Sequence, residues 1–214
     1  MNKKSFFVLG AFFMGACLLF FPLFLWKNIG SLDFWWWMSL NIAILVVFGF
    51  ISDSSYKEFI QKDLRTDLVI KVIWGILSAV VLYGIFYLGR ELSCAALGFA
   101  ERNIEGVYSF KQGHSWLKVL FLMVLVIGPG EELFWRGFLQ RHWQNKVGKR
   151  WGFLLVVLMY AGVHLGSGNG MLVAAAAVCG LFWGLWFQWK KSVVLVAVSH
   201  TVWDVLIFLL FPLS

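Results

Sequence analysis

Residues 68–89 read LVIKVIWGILSAVVLYGIFYLG, and the single charge in that stretch is Lys71. A helix that crosses a bilayer needs about 20 mostly apolar residues. Working outward, the same pattern recurs at Phe34–Ile51 and Ser5–Trp26 on the amino-terminal side. On the carboxyl-terminal side it recurs at Trp151–Leu165, Met171–Trp189 and Val193–Leu210. A further helical stretch begins near Trp116, is interrupted at Gly128-Pro129-Gly130, and resumes through Glu131 to about Trp143. Composition agrees: 61% of residues are hydrophobic and 14% charged, with a mean hydropathy of +0.81, whereas soluble domains carry about 25% charged residues. The sequence predicts an all-α fold, a polytopic transmembrane bundle of about seven helices with a catalytic core in the last four. Residues 1–115 supply amino-terminal helices and a linker, and 116–214 the core.

Between the spans, Ser52–Asp67 is polar and reads as a loop or short surface helix. Arg90–Ser115 reads as a linker or lid, with an interfacial segment around Cys94–Ala100. Trp35, Trp36 and Trp37 stand where an aromatic belt meets the headgroups. The first apolar run is too long for a cleaved signal peptide and reads as an uncleaved helix. Met14-Gly15-Ala16-Cys17 is followed by further apolar sequence, which argues against lipoprotein processing. Cys17, Cys94 and Cys179 share no C-x-x-C spacing, so neither a disulfide framework nor a thiolate metal site is indicated.

The net charge of +7 lies in alternate loops rather than in one stripe, which excludes a nucleic-acid partner and sets topology instead. With the amino terminus in the cytoplasm, Lys3, Lys4, Lys57, Lys62, Arg65, Arg141, Lys146, Lys149, Arg150, Lys190 and Lys191 share one side. Lys27, Arg90, Arg102 and Lys111 take the other. The expected location is the cytoplasmic membrane of a prokaryote, amino terminus inside and carboxyl terminus outside.

Ionisable groups inside membrane spans are costly and count as functional candidates. Here they are Glu131, Glu132, Arg136, His164, His200 and Asp204, and counting 1.5 Å per residue places three helices' polar groups in one layer. Glu132 and Arg136 are spaced i,i+4 with the acid first, the favourable order for a pair. Glu131, about 100° away around the helix, is left free for chemistry, and Pro129 ahead of it suits the first turn of a restarted helix, whose positive dipole end favours a carboxylate. His200 and Asp204 are also i,i+4 and point the same way. A carboxylate beside a histidine deprotonates a trapped water, and a polar pair opposite stabilises an oxyanion. That is a hydrolase arrangement for an amide. His114 and His142 fall at helix ends, where contact with water suffices for them, and Gly168-Asn169-Gly170 reads as a turn.

At these residues the chain resembles the CAAX-protease and bacteriocin-processing group (CPBP, Rce1-like or Abi), which are glutamic-type intramembrane proteases. The E-E-x-x-x-R motif is Glu131-Glu132-Leu133-Phe134-Trp135-Arg136. The aromatic-x-x-x-H motif is Tyr160-Ala161-Gly162-Val163-His164, and H-x-x-x-N or D is His200-Thr201-Val202-Trp203-Asp204. The resemblance covers Trp116–Leu210. Tyr160 replaces the commoner phenylalanine, and Asp204 stands where prenyl-protein processing members carry asparagine. The resemblance implies that Glu131 activates water with His164 while His200 and Asp204 stabilise the oxyanion, Glu132 and Arg136 supporting. If Asp204 is to donate a hydrogen bond it must be protonated; otherwise His200 works alone. The implied partners are the bilayer and a peptide or protein substrate cut near the membrane. No cofactor is required by this reading. A zinc reading remains open, with Glu131, His164, His200 and Asp204 as acceptable ligands, although the H-E-x-x-H helix is absent. A non-enzymatic immunity factor, chaperone or transporter would keep the same polar cluster for binding.

Overall fold

A computed structural model describes residues 3–213, with side chains from Leu9 onward. The Lys3 and Lys4 side chains, counted above toward the cytoplasmic charge, and Ser214 lie outside the described residues. Helix α1 (Lys3–Trp26) leads through a two-stranded antiparallel hairpin, β1 (Asn28–Ile29) and β2 (Leu32–Asp33), into α2 (Phe34–Ser52). Then follow α3 (Ser54–Arg65), α4 (Leu68–Ala96) and α5 (Ala100–Tyr108). Helix α6 occupies residues 116–147, α7 Lys149–Val163, α8 Gly170–Lys190 and α9 Val193–Leu210. Six of these are long and apolar enough to cross a membrane, namely α1, α2, α4, α7, α8 and α9. Helix α6, which carries Glu131, Glu132 and Arg136, packs among them. The outer faces carry side chains such as Leu18, Val69 and Leu158, exposed at 69%, 71% and 70%, which only a lipid solvent tolerates over so large an area. The chain is an integral membrane protein.

Three points separate the structure from the sequence reading, the first of them the choice between loop and short helix that the sequence left open. The polar stretch after α2 is a true helix, α3, capped by Asp53, which accepts from the Ser55 amide at 2.9 Å; its Tyr56 is fully buried and donates to the Leu133 carbonyl at 2.6 Å. Helix α4 continues past Gly89 to Ala96, absorbing the start of the expected interfacial segment, and the linker after it contains the amphipathic α5.

The third correction is the largest. No break occurs at Gly128-Pro129-Gly130; Gly128 has φ −56° and ψ −53°, in helical space. A π-helical turn at Met123–Ile127 immediately precedes it, and such widened turns accommodate a residue that cannot donate an amide, as Pro129 cannot. The two glycines serve close packing. A β-carbon on Gly130 would lie 2.3 Å from Ile42 of α2, and one on Gly128 would lie 2.5 Å from the Thr201 hydroxyl of α9. Glu131 therefore sits in mid-helix, without the orphan amides of a free N-terminus, and the expected help from the dipole is withdrawn.

The loops sort into two ends. At one, Arg141 and His142 engage Asp53, Lys71 meets Asp63 at 2.7 Å, the Val194 amide donates to Asp63 at 2.9 Å, and Lys191 reaches Gln144 at 3.2 Å. At the other, Lys118 pairs with Asp33 at 2.8 Å beside His114, Trp35 donates to the Phe110 carbonyl at 3.0 Å, and Asn169 donates to the Asn103 carbonyl at 2.6 Å. Asn169 also caps α8, so its loop is more than a turn.

Candidate active site

Helix α6 carries Glu131 and Glu132 to opposite neighbours, because adjacent helical residues diverge by about 100°. Glu131 turns toward α7, where the Tyr160 hydroxyl donates to its Oε2 at 2.7 Å. Glu132 turns toward α9. Its Oε1 accepts from Arg136 Nη1 at 2.7 Å, as the i,i+4 spacing predicts, and lies 2.8 Å from His200 Nδ1. A carboxylate that neutralises arginine offers only acceptors, so His200 carries a proton on Nδ1. Glu132 thus holds Arg136 and His200 together, a wider role than the arginine support read from the sequence.

Aromatic side chains complete this cluster. The His200 ring stacks on Trp183 with centroids 3.8 Å apart and planes 21° off parallel. Trp183 is itself fixed through its indole N–H, which donates to Ser199 at 3.1 Å, while Ser78 of α4 donates to the same hydroxyl at 2.9 Å. The Arg136 guanidinium lies over the rings of Tyr160 and Trp183, at 4.7 and 5.5 Å.

His164 ends α7. Its Nδ1 lies 2.8 Å from the Tyr160 carbonyl; a carbonyl can only accept, so Nδ1 is the donor and Nε2 is left to take a proton. One residue, Tyr160, therefore orients both His164 and Glu131. On the far side Asp204 Oδ2 stands 3.6 Å from His200 Nε2, an ion-pair distance beyond hydrogen-bond range.

Glu131, His164, His200 and Asp204 line one cavity of about 110 Å³, room for a few water molecules. Glu132 and Arg136 do not line it. Tyr160 and Cys179 do, as does Phe24 of α1, whose ring lies 4.7 Å from that of His164. The sequence reading missed Trp183, the Tyr160 hydroxyl and Phe24. Only Tyr160 left a trace, as a departure from phenylalanine.

The four residues do not fit zinc as arranged. Among the described residues no three His, Cys, Asp or Glu side chains are grouped so as to hold a metal ion.

Residues 113–206 match the family described as type II CAAX prenyl endopeptidase Rce1-like. That segment contains Glu131, Glu132, Arg136, His164, His200 and Asp204. No curated protein and no solved structure matches the chain.

Proposed function

We propose, from the match of residues 113–206 to the family described as type II CAAX prenyl endopeptidase Rce1-like, that the chain is an intramembrane endopeptidase of the glutamic type. The observation that carries this reading is the convergence of Glu131, His164, His200 and Asp204, from α6, α7 and α9, on one small buried cavity. Tyr160 occupies one oxygen of Glu131, leaving the other for a water that His164 Nε2 also contacts. Glu131 takes a proton from that water, and the oxygen attacks the scissile carbonyl. The carbonyl oxygen becomes an oxyanion facing His200. An imidazolium there has one N–H for Glu132 and the other for the oxyanion. The proton held by Glu131 then passes to the departing amide nitrogen as the C–N bond breaks. A protonated Asp204 adds a second donor. The chain is placed with its amino terminus and its basic end in the cytoplasm of a prokaryotic cell, following the lysine and arginine asymmetry.

The test is Glu131→Gln in purified protein reconstituted in bilayers, assayed on quenched peptides that carry an apolar anchor. Cleavage should fall by about 10²–10⁴-fold, the usual contribution of a general base, with the melting temperature close to wild type. Chelator treatment should leave wild-type cleavage unchanged. Undiminished cleavage by Glu131→Gln overturns the reading, and chelator loss reversed by zinc overturns its metal-free form.

A further inference from the structure

We infer that the cavity takes its substrate from the extracytoplasmic side, so that the bond cut belongs to a translocated or outward-facing peptide segment with an apolar residue beside it. This rests on the peptidase reading and deepens it.

The first observation is where the cavity lies along the bundle. Its upper wall is Phe24, in the last turn of α1; Phe34, which opens α2; Phe110, in the turn after α5; and Phe208, in the last turn of α9. All four stand at the end where Lys118 meets Asp33 and Trp35 meets the Phe110 carbonyl. The floor is Glu131, with half of α6 still to run before Val147. Beneath it, toward the other end, Trp135, Phe138, Leu139 and Phe187 are at most 2% exposed, and Tyr56 of α3 is sealed in with a hydrogen bond to α6. A peptide arriving from that end would have to displace a close-packed core, whereas the upper wall consists of rings at the end of the bundle.

The second observation is charge. The sealed end carries ten lysines and arginines, within residues 57–71, 141–150 and 190–191; the end at which the cavity lies carries five, Lys27, Arg90, Arg102, Lys111 and Lys118. Excess Lys and Arg in short loops marks the cytoplasmic side. The two observations are independent, and together they put the mouth outside. A cytoplasmic carboxyl-terminal tail would have to reach the opposite face. The stacked rings of Phe34 and Phe110, 4.6 Å apart, offer an apolar surface to the residue flanking the scissile bond.

The experiment separates orientation from activity. In a background with Cys17, Cys94 and Cys179 replaced by serine, Gln112→Cys beside the mouth and Asn145→Cys at the basic end, both exposed positions, are treated in intact cells with a membrane-impermeant maleimide. Gln112→Cys should label at least tenfold more than Asn145→Cys, and permeabilisation should equalise them. Labelling of Asn145→Cys in intact cells, alone or with the other, overturns the orientation. In parallel, new peptide termini found in wild-type cells and missing in Glu131→Gln cells should map to extracytoplasmic segments. Their mapping to cytoplasmic segments overturns this inference while sparing the peptidase reading. Their absence overturns the peptidase reading and the substrate claim with it, and the labelling still reports which way the mouth faces.

Discussion

Replacing Glu132 with glutamine removes one charge from a sealed trio and should be the most destabilising single-atom change in the site. The Glu132 and Arg136 side chains are 0% and 1% exposed, and His200 is 5% exposed. Neutralising one partner of a buried pair costs about 3–5 kcal/mol, because the remaining charge is left uncompensated. The rings of Tyr160 and Trp183 flank Arg136, and a desolvated cation–π contact contributes about 2 kcal/mol. Those contacts already exist in the wild type, so they offset none of the loss. At about 2–4 °C per kcal/mol for a chain of this size, the melting temperature in detergent should fall by on the order of 10 °C, followed by tryptophan fluorescence. Arg136→Met should cost a similar amount, and Glu132→Gln with Arg136→Met should cost clearly less than the two singles added. A Glu132→Gln protein within about 1 kcal/mol of wild type, or an additive double variant, would refute the assignment of Glu132 as the shared counterion.

Tyr160→Phe keeps the ring that meets Trp135 edge-on at 5.3 Å and deletes only the hydroxyl held by Glu131. A hydrogen bond to a charged group contributes about 1.5–3 kcal/mol, so kcat should fall by about 10- to 100-fold with KM little changed, and the melting temperature should fall by about 3–12 °C on the same conversion; a change confined to KM would show that the hydroxyl acts on substrate binding instead. Asp53, outside the spans, supplies a pH dependence. Burial works to raise its carboxyl, but the Ser55 hydroxyl and amide and the nearby Arg141 outweigh it and hold it below the usual range. A group depressed in the folded state stabilises fully above its unfolded pKa of about 3.9 and loses that contribution as pH falls through the folded value. The melting-temperature gap between wild type and Asp53→Ala, from about 1–2 kcal/mol of lost capping and pairing, should persist from pH 7 to 5 and shrink below about pH 4. A gap that stays constant to pH 3 would refute the pairing.

The spans were legible because lipid leaves a helix little choice of outer residue, and long apolar runs have one reading in a membrane. The candidate site was legible for the complementary reason: Glu131, His164, His200 and Asp204, which line one cavity, are conspicuous against an apolar background. The i,i+4 spacing announced the Glu132–Arg136 pair, since that contact is local. What the sequence hid depends on residues distant along the chain. Trp183 under His200 is one of 13 tryptophans, and nothing local separates it from a lipid-facing ring such as Trp189, exposed at 67%. Phe24 beside His164 is equally anonymous among 22 phenylalanines. Gly128-Pro129-Gly130 misled because proline and glycine ordinarily end helices. In this bundle the glycines admit α2 and α9 to close contact, and the π turn absorbs the proline.

On the proposed peptidase reading, that packing explains why two adjacent glutamates serve one site. A single carboxylate cannot both stay fixed on an arginine and exchange a proton with water, because an ion pair that holds it in place also opposes its protonation. Helix α6 separates the tasks by its own geometry. Glu132, about 100° from its neighbour, is locked by Arg136 and fixes the proton on His200 Nδ1. Glu131 meets only a neutral phenol among its described hydrogen-bond partners and keeps an oxygen for the cavity. Exchanging the two roles would require α6 to turn by that same angle, and the close approaches of Gly128 to Thr201 and of Gly130 to Ile42 hold it against turning. The glycines that looked like a break thus fix the rotation on which the division of labour between Glu131 and Glu132 depends.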